Sequence, residues 1–240
     1  MIRKAILLAA GRGSRLGPLT AETPKPLLQV GRRPIIVRII DGLIRAQIEE
    51  FAVVTGYLAE QVEYELGNGS QSGVSTRYFR QERQEGTARA LAIARDFAGE
   101  EKFFFGWGDI LVRPENYRAV IKAGRLADAA IAVNEVDDPH AGAAVYFGED
   151  RLVTRIVEKP APGTSATRWN NAGFGVLGPE IWPEIERLEP SERGEYELPQ
   201  ALAALIAGRA RVVAVPIEGS WFDIGTAESL AAARREFGSG

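Results

Sequence analysis

The chain contains no cysteine and only one histidine, His140, among its 240 residues. The first absence excludes disulfides, thiolate metal sites and thiol catalysis. The second excludes a zinc site built from several imidazoles and any mechanism that needs two histidines. Catalysis must then rest on carboxylates, Lys, Arg, backbone amides or a hard metal such as Mg²⁺. There is no surplus of positive charge either. The 29 Lys and Arg face 32 Asp and Glu, a net charge of −3, which argues against nucleic acid or an anionic membrane as a partner. No apolar run approaches the ~18 residues of a membrane span. Residues 5–10 are apolar after a basic start, but the run stops at Gly11-Arg12-Gly13 and reads as a buried first strand rather than a signal segment. The expected location is cytoplasmic. What is present is ordinary for a globular chain: 45% apolar and 25% charged residues, enough for a sizeable core without staples.

Short apolar runs alternate with helical patterns. Strands are expected at residues 5–9, 51–55, 74–79, 101–106 and 129–133, with helices at 34–48, 58–66, 87–97 and 114–124 between them. The run 101–106 has no polar face, as a central strand buried on both sides requires. This βαβα texture predicts an α/β, Rossmann-like, doubly wound and mostly parallel sheet. After residue 136 the texture changes. Strands are expected at 143–147, 152–157, 171–177 and 211–215, and helices at 179–188, 198–207 and 226–237, the last capped by Thr226. We expect a single domain over residues 1–240. Its nucleotide-binding half is 1–136, and a smaller α+β half, 137–240, is laid over the sheet's carboxyl edge. Homo-oligomerisation stays open.

Residues 7–28, LLAAGRGSRLGPLTAETPKPLL, are the most informative stretch. A strand runs into Gly11-Arg12-Gly13, and glycines let backbone amides approach a phosphate closely. A dinucleotide GxGxxG turn would place its third glycine at position 16, which is Leu16, and would need a helix directly after it. Pro18, Pro24 and Pro26 forbid a long helix, so the stretch is expected as a loop. Thr23 and Lys25 each precede a proline, which predicts extended backbone and holds Lys25 on a stiff strut. Arg12, Arg15 and Lys25 cluster with the glycines, as an anion site would require.

These residues resemble the signature of the sugar-nucleotide pyrophosphorylases, GxG[TS]RLxPLTxxxPKPL, against which residues 11–27 read GRGSRLGPLTAETPKPL. Ser14 stands where Thr is commoner, and Gly17 where many members carry a second Arg. The resemblance continues along the chain. Residues 81–88, QERQEGTA, are similar to the family's base-reading segment, which implies that Gln81 and the Gly86 backbone read a pyrimidine edge, with Thr87 beside them. An amide offers both a donor and an acceptor, as that edge needs. Glu85 replaces a commoner Leu. Gly106-Trp107-Gly108-Asp109 ends the most apolar strand, and Trp221-Phe222-Asp223-Ile224-Gly225-Thr226 resembles WxDIGT. The family implies that Asp109 and Asp223 hold Mg²⁺. Trp107 stands where Asn or a small residue is commoner. Glu158-Lys159-Pro160 matches the family's EKP, which implies that Glu158 binds sugar hydroxyls and Lys159 the sugar phosphate; Asn171-Ala172-Gly173 and Gly142 are placed at the sugar by the same resemblance. His140 is expected at a loop surface.

The resemblance implies a glycosyltransferase-A-like fold. It also implies a nucleotidyltransferase that makes a nucleoside-diphosphate sugar and pyrophosphate from a triphosphate and a sugar 1-phosphate, with UTP or dTTP and a glucose-like hexose favoured. Ala9, Gly11, Gly13 and Ser14 would hold the nucleotide, while Arg15 and Lys25 would be catalytic. Since a phosphate monoester is already ionised near neutrality, no general base is needed. The rival readings are a hexose-1-phosphate guanylyltransferase, a NADP-dependent oxidoreductase and a non-catalytic sugar-nucleotide sensor.

Overall fold

The computed structural model describes residues 1–238. In chain order the elements are β1 (Lys4–Leu8), the short hairpin β2 (Gln29–Val30) and β3 (Arg33–Pro34), α1 (Ile35–Arg45), β4 (Glu50–Thr55), α2 (Ala59–Leu66), β5 (Ser75–Arg80), α3 (Thr87–Ile93), α4 (Arg95–Ala98), β6 (Phe103–Trp107), β7 (Ile110–Val112) and α5 (Pro114–Gly124). There follow β8 (Ala129–Glu135), β9 (Ala143–Phe147), β10 (Val153–Glu158), β11 (Trp169–Leu177), α6 (Ile181–Glu186), α7 (Leu198–Ala207), β12 (Val212–Pro216), β13 (Trp221–Asp223) and α8 (Ala227–Phe237).

Among the described residues nine strands form one sheet, in the order β10-β9-β11-β6-β1-β4-β5, with β8 joining β11 to β12. β6, β1, β4 and β5 are parallel, and so are β12 and β8. β11 runs antiparallel to β6, β8 and β9. From β1 the chain steps outward to β4 and β5, then returns to β6 on the other side of β1. That reversal opens a crevice at the carboxyl ends of β1 and β6, where ligands of open α/β sheets bind.

The strands are apolar because both faces are covered. On β6, Phe104 joins the layer of Ile36, Ile39, Leu43 and Val120 under α1 and α5. Phe103 and Phe105 join the opposite layer of Leu91, Phe97, Ile185 and Leu202 under α3, α4, α6 and α7. Each such side chain taken from water contributes ~1.5–3 kcal/mol, so the sheet is anchored where the crevice forms.

Several expectations need correction. Pro34 caps α1 from outside instead of sitting in its first turn. The helix expected at 87–97 is two helices, broken at Ala94 (φ −97°, ψ 16°), where a tight Ala94 N–H to Leu91 carbonyl bond redirects the chain and keeps Phe97 and Ala98 buried. The loop after β1 contains 3-10 turns at Ser14–Thr20 and Lys25–Leu27. Proline forbids a long α-helix but is tolerated in the first positions of such turns. Lys25 therefore opens a turn, with Leu28 N–H on its carbonyl at 3.1 Å, and the extended residue is Pro24 before it. Strands β10, β9 and β11, expected over the sheet's edge, continue the sheet itself. Thr226 caps α8 as expected, in a reciprocal box with Ser229.

Candidate active site

Beyond β1 the chain makes a compact lobe. Gly13 has φ +67°, and a Cβ on it would stand 3.0 Å from the Lys25 Cβ, so the glycine lets the two ends of the lobe touch. The buried Thr20 hydroxyl donates to the Gly13 carbonyl at 3.0 Å. Tyr57 braces the lobe from outside. Its hydroxyl donates to the Ala21 carbonyl at 2.7 Å, and its ring lies under the Arg12 guanidinium at 5.3 Å. Inside is a cavity of about 210 Å³ lined by Leu8, Ala9, Gly11, Gly13, Ser14, Arg15, Lys25, Pro26, Gly108 and Asp109. The structure thus brings together Ala9, Gly11, Gly13, Ser14, Arg15 and Lys25, whereas Arg12, expected beside them, lies outside this cavity over Tyr57 and lines the hollow of Gln81.

Asp109 and Asp223, far apart in sequence, meet through two three-residue strands. β13 pairs antiparallel with β7, Asp223 opposite Ile110, and the Ile224 N–H donates to the Asp109 carbonyl at 3.1 Å. The buried Lys25 ammonium is ion-paired to Asp109 and lies 3.9 Å from Asp223 Oδ1. Arg15 joins them: a Cβ on Gly225 would stand 2.8 Å from its guanidinium. Burial, then the charge of Asp109, pushes the Asp223 carboxyl above its ordinary range, while Lys25 and Arg15 pull it back. Two like charges facing each other in a partly dry site are a donor set that a hard cation suits. Among the described residues no group of three or more His, Cys, Asp or Glu is arranged to hold a metal ion, so a cation on this pair would complete its shell with non-protein oxygens, as Mg²⁺ does.

A second cavity, of about 410 Å³, shares Arg15 and Asp109 with the first and is also lined by Thr87, Gly142, Glu158, Lys159, Asn171 and Asp223. Lys159 is held at φ +41°, and its N–H donates to the Gly142 carbonyl at 2.7 Å. The Gly142 N–H is itself spent on Pro139. Asn171 Oδ1 accepts from Gly173 N–H at 3.0 Å, leaving the buried Asn171 Nδ2 with no partner. A buried donor in that state costs about 1–3 kcal/mol until something accepts from it. Burial, then the neighbouring Glu197, pushes the Glu158 carboxyl up to about 7, against the pull of Lys159 and Arg193.

Gln81 and Gly86 stand together but outside both cavities. The Gln81 amide donates to the Gly86 carbonyl at 3.4 Å, and Gln81 lines a separate hollow of about 360 Å³ with Arg12, Gly56, Tyr57 and Gln84. The Thr87 hydroxyl accepts from the Leu198 N–H at 2.9 Å, so it anchors the start of α7 as well as facing the larger cavity.

A family model described as nucleotidyl transferase matches residues 4–239. The chain belongs to that family. It is 35% identical to a UTP–glucose-1-phosphate uridylyltransferase of Haloferax volcanii, over 94% of this chain and 92% of that protein. It is 33% identical to a low-salt glycan biosynthesis nucleotidyltransferase of the same organism and 30% identical to a glucose-1-phosphate thymidylyltransferase of Streptomyces antibioticus. Those two matches each cover 95% of this chain but only 64% of the relative, so the chain spans about two thirds of their length. A protein from Bacillus anthracis described as a glucose-1-phosphate thymidylyltransferase and solved with sucrose superposes with a TM-score of 0.89 at 29% identity, over 99% of this chain and 96% of that one. A UDP-glucose pyrophosphorylase solved with UDP-glucose shares the fold, with a TM-score of 0.85 at 22% identity over 99% and 98% of the two chains. No helix among the described residues is long and apolar enough to cross a membrane.

Within this family member the fold gives roles to residues to which the sequence assigned none. The buried Asn170 accepts from Ala143 N–H at 3.1 Å and donates to Asn134 at 3.0 Å, fixing the entrance to β9 beside Gly142. Glu197, buried at the start of α7, is ion-paired to Arg193, which also lies 3.7 Å from Glu158. Trp221 donates its indole N–H to the Ala172 carbonyl at 2.9 Å and borders the larger cavity. A polar residue in an apolar strand is a detectable signal for Asn170. Nothing local marks Glu197 or Arg193.

Proposed function

We propose that the chain joins a nucleoside triphosphate, UTP or dTTP, to a glucose-like hexose 1-phosphate and releases pyrophosphate. The observation that carries this reading is the position of Lys25. It stands between Asp109 and Asp223, where a glycine-rich cavity meets a larger one lined by Glu158, Lys159 and Asn171. An oxygen of the sugar phosphate attacks the α-phosphorus. The bond from that phosphorus to the oxygen bridging the β-phosphate breaks, and pyrophosphate leaves with the electron pair. The chain supplies alignment and charge and no proton acceptor. Amides of Gly11, Gly13 and Ser14 with Arg15 hold the triphosphate, Ala9 borders the ribose, and Lys25 answers charge growing on the α-phosphate. Lys159 holds the attacking phosphate, and Glu158 and Asn171 engage sugar hydroxyls, with Gly142 keeping the floor of that cavity thin. Gln81 and Gly86 read the base, and Thr87 fixes the helix beside them. Asp109 and Asp223 fit Mg²⁺, which would supply further neutralisation of phosphate oxygens.

The test is a pyrophosphate-release matrix of UTP, dTTP, CTP, GTP and ATP against several sugar 1-phosphates, with and without EDTA. Release is expected with UTP or dTTP and glucose 1-phosphate, and EDTA should abolish it. Silence across the whole matrix would overturn the enzymatic reading in favour of a sensor, and full activity in EDTA would overturn the metal assignment.

A further inference from the structure

Trp107 occupies the last position of β6, directly before Gly108 and Asp109, and opposite Leu8 of β1. The three residues that start β6, Phe103, Phe104 and Phe105, are fully buried, whereas Trp107 is only half-buried and borders the larger cavity. The ring packs against both core layers, and part of it is still left facing the cavity. Its setting is rigid. It packs edge-on against Phe105 with centroids 6.0 Å apart. It also lies over Gly173, where a Cβ would stand 2.5 Å from the indole Cε3 and the backbone has φ +88°. Any side chain at 173 would evict the ring. Among the described residues nothing accepts from the Trp107 indole N–H, in contrast to Trp221. The same cavity carries polar groups in Glu158, Lys159 and Asn171, the last with its unpartnered Nδ2.

We propose that Trp107 is the aromatic platform of the sugar subsite, packing against the C–H face of the pyranose while Glu158 and Asn171 hold its hydroxyls. This inference rests on reading the larger cavity as the hexose 1-phosphate site. A gluco-configured pyranose carries its hydroxyls around the rim and presents C–H groups from its ring faces. An indole covers such a face over a large area and loses little freedom in doing so, having two torsions already fixed by Phe105 and Gly173. The indole N–H is a further donor for a rim hydroxyl. Trp107 thereby discriminates among sugars by the shape of the ring face and leaves the triphosphate untouched.

The test compares the wild type with Trp107→Leu and Trp107→Phe, each checked for an unchanged melting temperature. Leu preserves apolar bulk and Phe preserves aromaticity, so the two separate stacking from cavity filling. Glucose 1-phosphate binding is read by calorimetry, and KM for glucose 1-phosphate and UTP from pyrophosphate release. Trp107→Leu should raise the glucose 1-phosphate Kd and KM about tenfold with the UTP KM unchanged, and Trp107→Phe should recover most of the loss. A leucine variant that binds like the wild type, or one that raises both KM values together, would overturn the platform, as would a wild type that binds no hexose 1-phosphate. A wild type that binds the sugar phosphate but releases no pyrophosphate would count against the proposed reaction alone, because the calorimetric comparison still reads the platform.

Discussion

Two cations in this site each stand between two carboxylates: Lys25 between Asp109 and Asp223, and Arg193 between Glu158 and Glu197. Each pair is held together at a cost that appears in its protonation. For Glu158 the sign is decidable. Burial and the Glu197 charge raise its carboxyl from 4.5 to about 7, so between those values the folded protein binds a proton that the unfolded chain does not. Stability contributed by that proton is lost as pH rises through this window, and the penalty is complete above about 7. Its ceiling is about 3 kcal/mol, from the ~1.4 kcal/mol carried by each pH unit. Glu158→Gln should therefore melt several degrees above the wild type at pH 8 and close to it at pH 5, while binding glucose 1-phosphate more weakly. Thermal unfolding without ligand at both pH values reads the effect, and an equal gain at pH 5 and pH 8 would remove its electrostatic cause. At this scale the meeting of Gly11, Gly13, Arg15 and Lys25 around one cavity was legible, because they share one short stretch. Arg193 and Glu197 were not, since only the folded chain carries them to Glu158.

The elements that bring Asp109 and Asp223 together are β7 and β13, three residues each, too short for alternation to register as a period. The long strands and helices were readable from their apolar spacing, while the meeting of the aspartates depended on a pairing that no local pattern encodes. What secures β13 is Asn116 on α5, which is buried. Its Oδ1 accepts from the Glu218 N–H at 2.8 Å, and its Nδ2 donates to the Glu218 carbonyl at 3.0 Å. This two-point clasp fixes the chain five residues before Asp223 to the helix that follows β7. Asn116→Ala removes both bonds, and because Glu218 is exposed and water can replace part of them, each is worth about 0.5–1.5 kcal/mol. The expected outcome is a melting temperature lowered by several degrees and a Mg²⁺ half-saturation for pyrophosphate release raised several-fold, because Asp223 is no longer held opposite Ile110. A Mg²⁺ titration superposable on that of the wild type would show that Asn116 supports stability alone.

Across the whole molecule the cavities line the carboxyl edge of one sheet. The hollow of Gln81 lies past β4 and β5, the glycine-rich cavity lies at β1, and the larger cavity extends from β6 across β11 and β9. In the proposed reaction that is the order of base, triphosphate and sugar when nucleoside triphosphate and sugar 1-phosphate are both bound. The parallel half of this arrangement follows from the βαβα texture. Its extension through antiparallel β11 does not, because a strand's sequence encodes its burial and not its neighbour's direction. Gln81 is nearly buried, its N–H donates to the Thr55 carbonyl at 2.8 Å, and its amide makes only a 3.4 Å contact to the Gly86 carbonyl. The backbone is thus fixed in place, and the side-chain amide keeps hydrogen-bonding capacity in reserve. A uracil or thymine edge uses both its donor and its acceptor, whereas a purine carries a second ring that displaces its edge from this amide, and the pairing then lost costs roughly 1–3 kcal/mol. The wild type should accordingly turn over UTP with a kcat/KM at least tenfold above that for GTP, and Gln81→Ala should shrink the ratio about tenfold, chiefly by lowering the UTP value. Measured ratios for the two proteins with glucose 1-phosphate decide the matter. An unchanged ratio would move base reading away from Gln81, and a wild type that prefers GTP would make the chain a hexose-1-phosphate guanylyltransferase.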